Sequence, residues 1–103
     1  MTRAIIKRPQ AERDIEESFV FIGENDSDSG LDFLLAVEQT LEFLALHPFV
    51  GSVRSFKDTE LQNVRLWRVK TYDKHLIFYL VTEQAIEIIR VIHAARDYTK
   101  FFE

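Results

Sequence analysis

Residues 64–93, VRLWRVKTYDKHLIFYLVTEQAIEIIRVIH, decide the fold. Three apolar runs, VRLWRVK (64–70), HLIFYLV (75–81) and AIEIIRVIH (85–93), are separated by the polar breaks TYDK and TEQ. β-Branched and aromatic side chains suit a pleated surface, and breaks this short suit hairpins, so the segment predicts an antiparallel meander. With a period of two, Arg65, Trp67 and Val69 share one face while Leu66, Arg68 and Lys70 share the other. The cations are therefore divided between faces. The last run does not alternate: Ile88 and Ile89, then Val91 and Ile92, are adjacent apolar pairs that call for cover on both faces. Phe101 and Phe102, or a bound partner, are the candidates to supply it.

Upstream, TRAIIK (2–7) reads as a strand, and Pro9 ends its ladder because proline has no N–H to donate. Ala11, Ile15, Phe19 and Ile22 then form one stripe of a helix, with Glu12, Asp14, Glu16 and Glu17 near the positive end of its dipole. NDSDSG (25–30) is a turn, with Asp28 or Ser29 as the cap of a second helix from about Gly30 to Leu46. Leu31, Leu34, Val37, Leu41 and Leu44 are its expected stripe, and His47 before Pro48 ends it. Residues 49–63 have no period beyond a short extended piece around Val53 to Phe56. The expected architecture is one α+β domain over 1–103, in the order β-α-α-β-β-β, with an antiparallel sheet and a helical hairpin on one face.

The 103 residues are 47% hydrophobic and 29% charged, a composition that supports one packed core. There is no cysteine, and the three histidines have no metal-ligand spacing, so neither a metal nor a cofactor is expected. No run of apolar residues is long enough for a signal peptide or a membrane span, which points to a cytoplasmic chain. Residues 1–50 hold 4 Lys/Arg against 10 Asp/Glu, whereas residues 51–103 hold 9 against 7. With a net charge of −4, direct nucleic-acid binding is not expected, because phosphate contact usually demands a basic excess.

Chemistry-bearing residues gather near the end, in RVIHAARDYTKFF (90–102). His93 and Arg96, with Tyr79 from the neighbouring strand, are the residue types that cut RNA: one takes the 2′-hydroxyl proton, one neutralises phosphate charge, one protonates the leaving oxygen. Against this stands a structural reading, in which His93 donates to a backbone carbonyl and Arg96 pairs with Asp97 or a helix carboxylate. Trp67 and Tyr72 read as core aromatics rather than base-stacking platforms, and Glu12, Glu16 and Glu17 as a solvated helix face.

The ordered set A-x-x-D-I-x-E-x-x-x-F-I (11–22), L-x-x-H-P-x-x-G (44–51), V-R-L-W-R-V (from Val64), H-L-I-F-Y (from His75) and I-I-R-V-I-H-A-A-R-D (from Ile88) resembles the ParE/RelE superfamily of toxins from type II toxin–antitoxin modules. The resemblance runs from about Ile5 to Asp97. It implies a sheet carrying a helical hairpin and a ParD-like antitoxin that wraps and silences the toxin. It also implies one of two activities: inhibition of DNA gyrase by protein contact, as in ParE-like plasmid-stabilisation proteins, or ribosome-dependent mRNA cleavage, as in RelE-like endoribonucleases. The acidic balance and the few cations between Gly51 and Val64 favour the ParE side, a binder rather than an enzyme. On that side Arg90, His93, Arg96, Asp97 and Tyr98 are the target-binding candidates, with no catalytic residue. On the nuclease side Arg65, Tyr79, His93 and Arg96 are the catalytic candidates. The acidic helical half implies an antitoxin segment rich in lysine or arginine.

Overall fold

The computed structural model describes residues 2–56 and 62–96. Strand β1 (Ala4–Lys7) leads into helix α1 (Pro9–Asn25) and helix α2 (Ser27–Leu46), followed by β2 (Ser52–Arg54), β3 (Val64–Val69), β4 (Tyr72–Val81) and β5 (Ala85–His93). The strands lie in the order β1-β5-β4-β3-β2. The meander of β3, β4 and β5 is antiparallel as expected. The sheet as a whole is mixed, because β1 pairs with β5 in parallel. A crossover through two helices returns the chain to the edge in the same direction, which a tight hairpin cannot do. The weak extended signal after Gly51 is a true strand, β2, whose three residues pair with Val64 to Leu66.

Boundaries moved where local chemistry outweighed pattern. The helices are joined through Asp26 alone, which is extended and accepts hydrogen bonds from the Asp28 N–H at 3.1 Å and the Ser29 hydroxyl at 2.9 Å. Asp26, not Asp28 or Ser29, is thus the cap, and Gly30 lies inside the helix. A Cβ at Gly30 would meet the Gly23 Cα at 3.0 Å and the Phe19 carbonyl at 3.2 Å, so the glycine permits the tight approach of the two helices. The β3–β4 turn is Lys70 and Thr71 rather than TYDK, with Thr71 at φ 68° and β4 beginning at Tyr72. In α2 the sheet-facing residues include Phe33, Val37, Leu41 and Leu44, while Leu31 is 59% exposed. Leu31 stands two residues from Phe33, on the far side of the helix.

A β-bulge explains the adjacent apolar pairs of the last strand. Tyr79 pairs with Ile88 and Phe78 with Arg90, so Ile89 is an extra residue that resets the alternation. Ile86, Ile88 and Val91 join the core under the helices, whereas Ile89 and Ile92 join a second cluster with Val64, Leu76 and Phe78 on the opposite face. Phe56, before β3, packs edge-on against Phe78 on that face. The proposed cover by Phe101 and Phe102 lies outside the described residues.

Candidate functional site

Strand β1 pairs with β5 only from Ala85 to Ile88, and the chain then turns into α1. Among the described residues Ile89 to His93 therefore lack a strand neighbour on that side, and α1 takes its place. Asp14 supplies the missing acceptor: its carboxylate takes the Val91 N–H at 3.0 Å. It also takes the Arg90 guanidinium through Nε at 2.7 Å and Nη2 at 3.0 Å, and the Gln10 amide at 3.1 Å. Asp14 is 4% exposed, so this charge is held by a two-pronged arginine contact and further hydrogen bonds rather than by water. The pair locks α1 to the end of β5.

Beyond the lock, a groove opens between α1 and the ends of β4 and β5, with Glu17 and Phe21 on one wall and Tyr72, His75, His93 and Arg96 on the other. Phe21 is 70% exposed. The His75 ring lies 4.8 Å from Phe33 and 5.0 Å from the His93 ring, nearly perpendicular to the latter. Burial, reinforced by the neighbouring His93, lowers the His75 pKa from 6.5 to about 4, so its imidazole is uncharged at neutral pH. His93 accepts the Ala95 N–H on Nδ1 at 3.0 Å, which leaves Nε2 as its donor. The Arg96 N–H bonds to the His93 carbonyl at 3.0 Å, which fixes the turn that carries Arg96 to the groove rim. An exposed aromatic, a cation and the uncharged His75 imidazole make a recognition surface. Among the described residues no group of three or more His, Asp or Glu is placed to hold a metal ion.

The nuclease candidates are not assembled. Arg65 lies opposite Tyr79, whereas His93 lies opposite His75, four residues away along β4 or about 13 Å. Tyr79 is fully buried. Its hydroxyl donates to the Pro48 carbonyl at 2.7 Å and accepts the Gly51 N–H at 3.0 Å. Burial raises its pKa despite the Gly51 hydrogen bond and the nearby Arg65. Arg65 donates to the Phe49 and Gly51 carbonyls at 3.0 and 2.7 Å and covers the Phe49 ring. These two residues clamp the loop after α2. Gly51 is held so closely that a Cβ there would meet the Tyr79 hydroxyl at 2.5 Å.

Of the target-binding candidates, His93 and Arg96 line the groove, while Arg90 is turned to Asp14 with its side chain 13% exposed. Asp97 and Tyr98 lie outside the described residues. Asp14, His75 and Phe21 were not foreseen as site residues. Asp14 did leave a trace, since it is a carboxylate three residues after Ala11, within the apolar stripe.

The sequence matches the model of the family described as the ParE toxin of the type II toxin-antitoxin system, parDE, over residues 5–98. The chain belongs to the ParE toxin family. No curated protein matches the chain. Among solved structures, a chain of the chromosomal ParDE TA system from P. aeruginosa superposes with a TM-score of 0.71 at 13% identity, covering 89% of this chain and 96% of that one. At that identity the likeness speaks for the fold. It places this ParE family member's helical hairpin and mixed sheet among known architectures.

Proposed function

We propose that this ParE-family toxin inhibits DNA gyrase by protein contact, without chemistry of its own, through the groove bordered by Phe21, His93 and Arg96. The observation that carries this reading is the separation of the nuclease set: Tyr79 and Arg65 spend their polar groups on the loop between Pro48 and Gly51, far from His93. A residue buried with both hydrogen-bonding functions engaged is poorly placed for general acid catalysis. Asp97 and Tyr98 follow Arg96 directly in sequence and are proposed to extend the contact.

A cognate antitoxin in the same cytoplasm is the second partner. The helical hairpin contains one cation, Arg13, against ten carboxylates, and it exposes Leu31, Leu35 and Leu46 along α2. A lysine- or arginine-bearing antitoxin segment suits that surface, and its affinity is expected to fall as salt rises.

The test is supercoiling and DNA cleavage by purified gyrase with added toxin, alongside cleavage of ribosome-programmed mRNA with the same sample. Lost supercoiling with accumulated cleaved DNA is expected. Register-specific cuts in the mRNA with gyrase untouched would overturn the proposal.

A further inference from the structure

Most described cations of this chain already have partners. Lys7 pairs with Glu38, Arg8 with Glu87 and Arg90 with Asp14. Arg3 and Arg65 bind backbone carbonyls. At the opposite edge of the sheet from α1, Arg54, Arg68 and Lys70 are exposed and make no side-chain hydrogen bond or ion pair among the described residues. They stand beside a second feature. Strand β2 pairs with β3 only from Val64 to Leu66, so among the described residues Trp67, Arg68 and Val69 have no strand on their outer side.

A groove follows that open edge. Its floor is apolar: Trp67 stacks on Phe43 of α2, with ring centroids 6.0 Å apart and planes 21° from parallel, and Val69 lies buried alongside. Arg68 and Lys70 form its rim, with Asp73 the only carboxylate among the described residues that line it. Arg68 and Trp67 also line the adjoining hollow, which runs over Val50 and Arg54. An uncovered strand edge, an aromatic floor and unspent cations on one strip match the three things an extended peptide offers: backbone donors and acceptors, an apolar side chain on one face, and charge on the other. A polyanion would use the cations alone, because Trp67 turns one face to Phe43 and the chain carries a net charge of −4.

We propose that the outer edge of β3, from Trp67 to Val69, is a docking site for an extended acidic segment of a partner protein, which continues the line of β2 and seats an apolar side chain over Phe43 and Trp67. This goes beyond the gyrase and antitoxin surfaces above: it lies across the sheet from the groove at Arg96 and selects the charge opposite to that suited to the helical hairpin.

Trp67 is the single tryptophan of the chain, so its fluorescence reports occupancy directly. The probe is a nine-residue peptide of alternating glutamate and valine with a central leucine, titrated against the full chain. A saturable change in Trp67 emission is expected, weakened about tenfold or more by Arg68→Glu. The change should also be lost when lysine replaces glutamate in the peptide, or when alternate peptide nitrogens are methylated. Circular dichroism of Arg68→Glu checks that the variant is folded, and the Arg68→Gln variant, which removes the charge without reversing it, should weaken binding less. No emission change up to millimolar peptide would overturn the proposal. So would an equal response to the lysine peptide, or a response only to a single-stranded oligothymidine.

Discussion

Two polar clusters sit at opposite ends of β4, and they use similar side chains in opposite ways. Around Tyr79 and Arg65, both functions of the fully buried phenol and the guanidinium's bonds to the Phe49 and Gly51 carbonyls end on backbone atoms of residues 48–51. Around His75 and His93, the buried Asp14–Arg90 lock has the same closed character, but the groove beside it opens onto Phe21 and Arg96. Histidine, arginine and tyrosine close in sequence pattern are thus not evidence of a shared site. Where their hydrogen bonds terminate separates a clamp from a surface available to a partner.

The sharpest way to break this comparison is to remove the lock. Asp14→Ala should cost about 3–5 kcal/mol, because it removes the buried carboxylate that both the Arg90 guanidinium and the Val91 N–H bond to. Urea unfolding will measure it, and a loss below about 1 kcal/mol would mean that water replaces Asp14 readily. At the closed end, Tyr79→Phe should cost about 1–3 kcal/mol through the Pro48 and Gly51 groups left without a partner. Below its melting temperature, this variant should still inhibit its target fully.

A smaller effect distinguishes the ends by pH. His75 titrates at about 4 in the folded chain against an ordinary 6.5. The unfolded chain therefore takes up a proton below about pH 6.5 that the folded chain refuses until about pH 4. The unfolded state binds more protons in that window, so the stability tied to His75 falls as pH drops through it and levels off below. His75→Gln should flatten the melting temperature against pH between those limits, whereas an unchanged slope would assign the titration to another group. Smallest is Thr71→Gly, which relieves the positive φ of the β3–β4 turn and should stabilise by up to about 1 kcal/mol without touching either cluster.

The elements were largely legible because their periodicities are local properties. The helical stripe of Ala11 to Ile22 and the three apolar runs each carry their own signal. What was hidden depended on neighbours distant in sequence. The parallel pairing of β1 becomes defined only when two helices return the chain to β5, and the bulge at Ile89 looks in sequence like failed alternation. The family-like motifs turn out to encode the two clusters: His47-Pro48 with Gly51, Arg65 and Tyr79 make the loop clamp, while Asp14 and Arg90 make the lock. Their residue types could be seen, but their roles could not, since a tyrosine with its hydroxyl buried on a carbonyl reads the same as an exposed one. His75 was passed over because nothing in the sequence shows that Phe33 and His93 enclose it.

The most direct measurement is inhibition of gyrase supercoiling by Arg96→Ala beside Tyr79→Phe, both at a temperature where circular dichroism shows them folded. Loss of inhibition in Arg96→Ala, with inhibition retained in Tyr79→Phe and antitoxin binding retained in both, is the predicted result. Full inhibition by Arg96→Ala, or its loss in folded Tyr79→Phe, would contradict the division between an open recognition groove and a closed structural clamp.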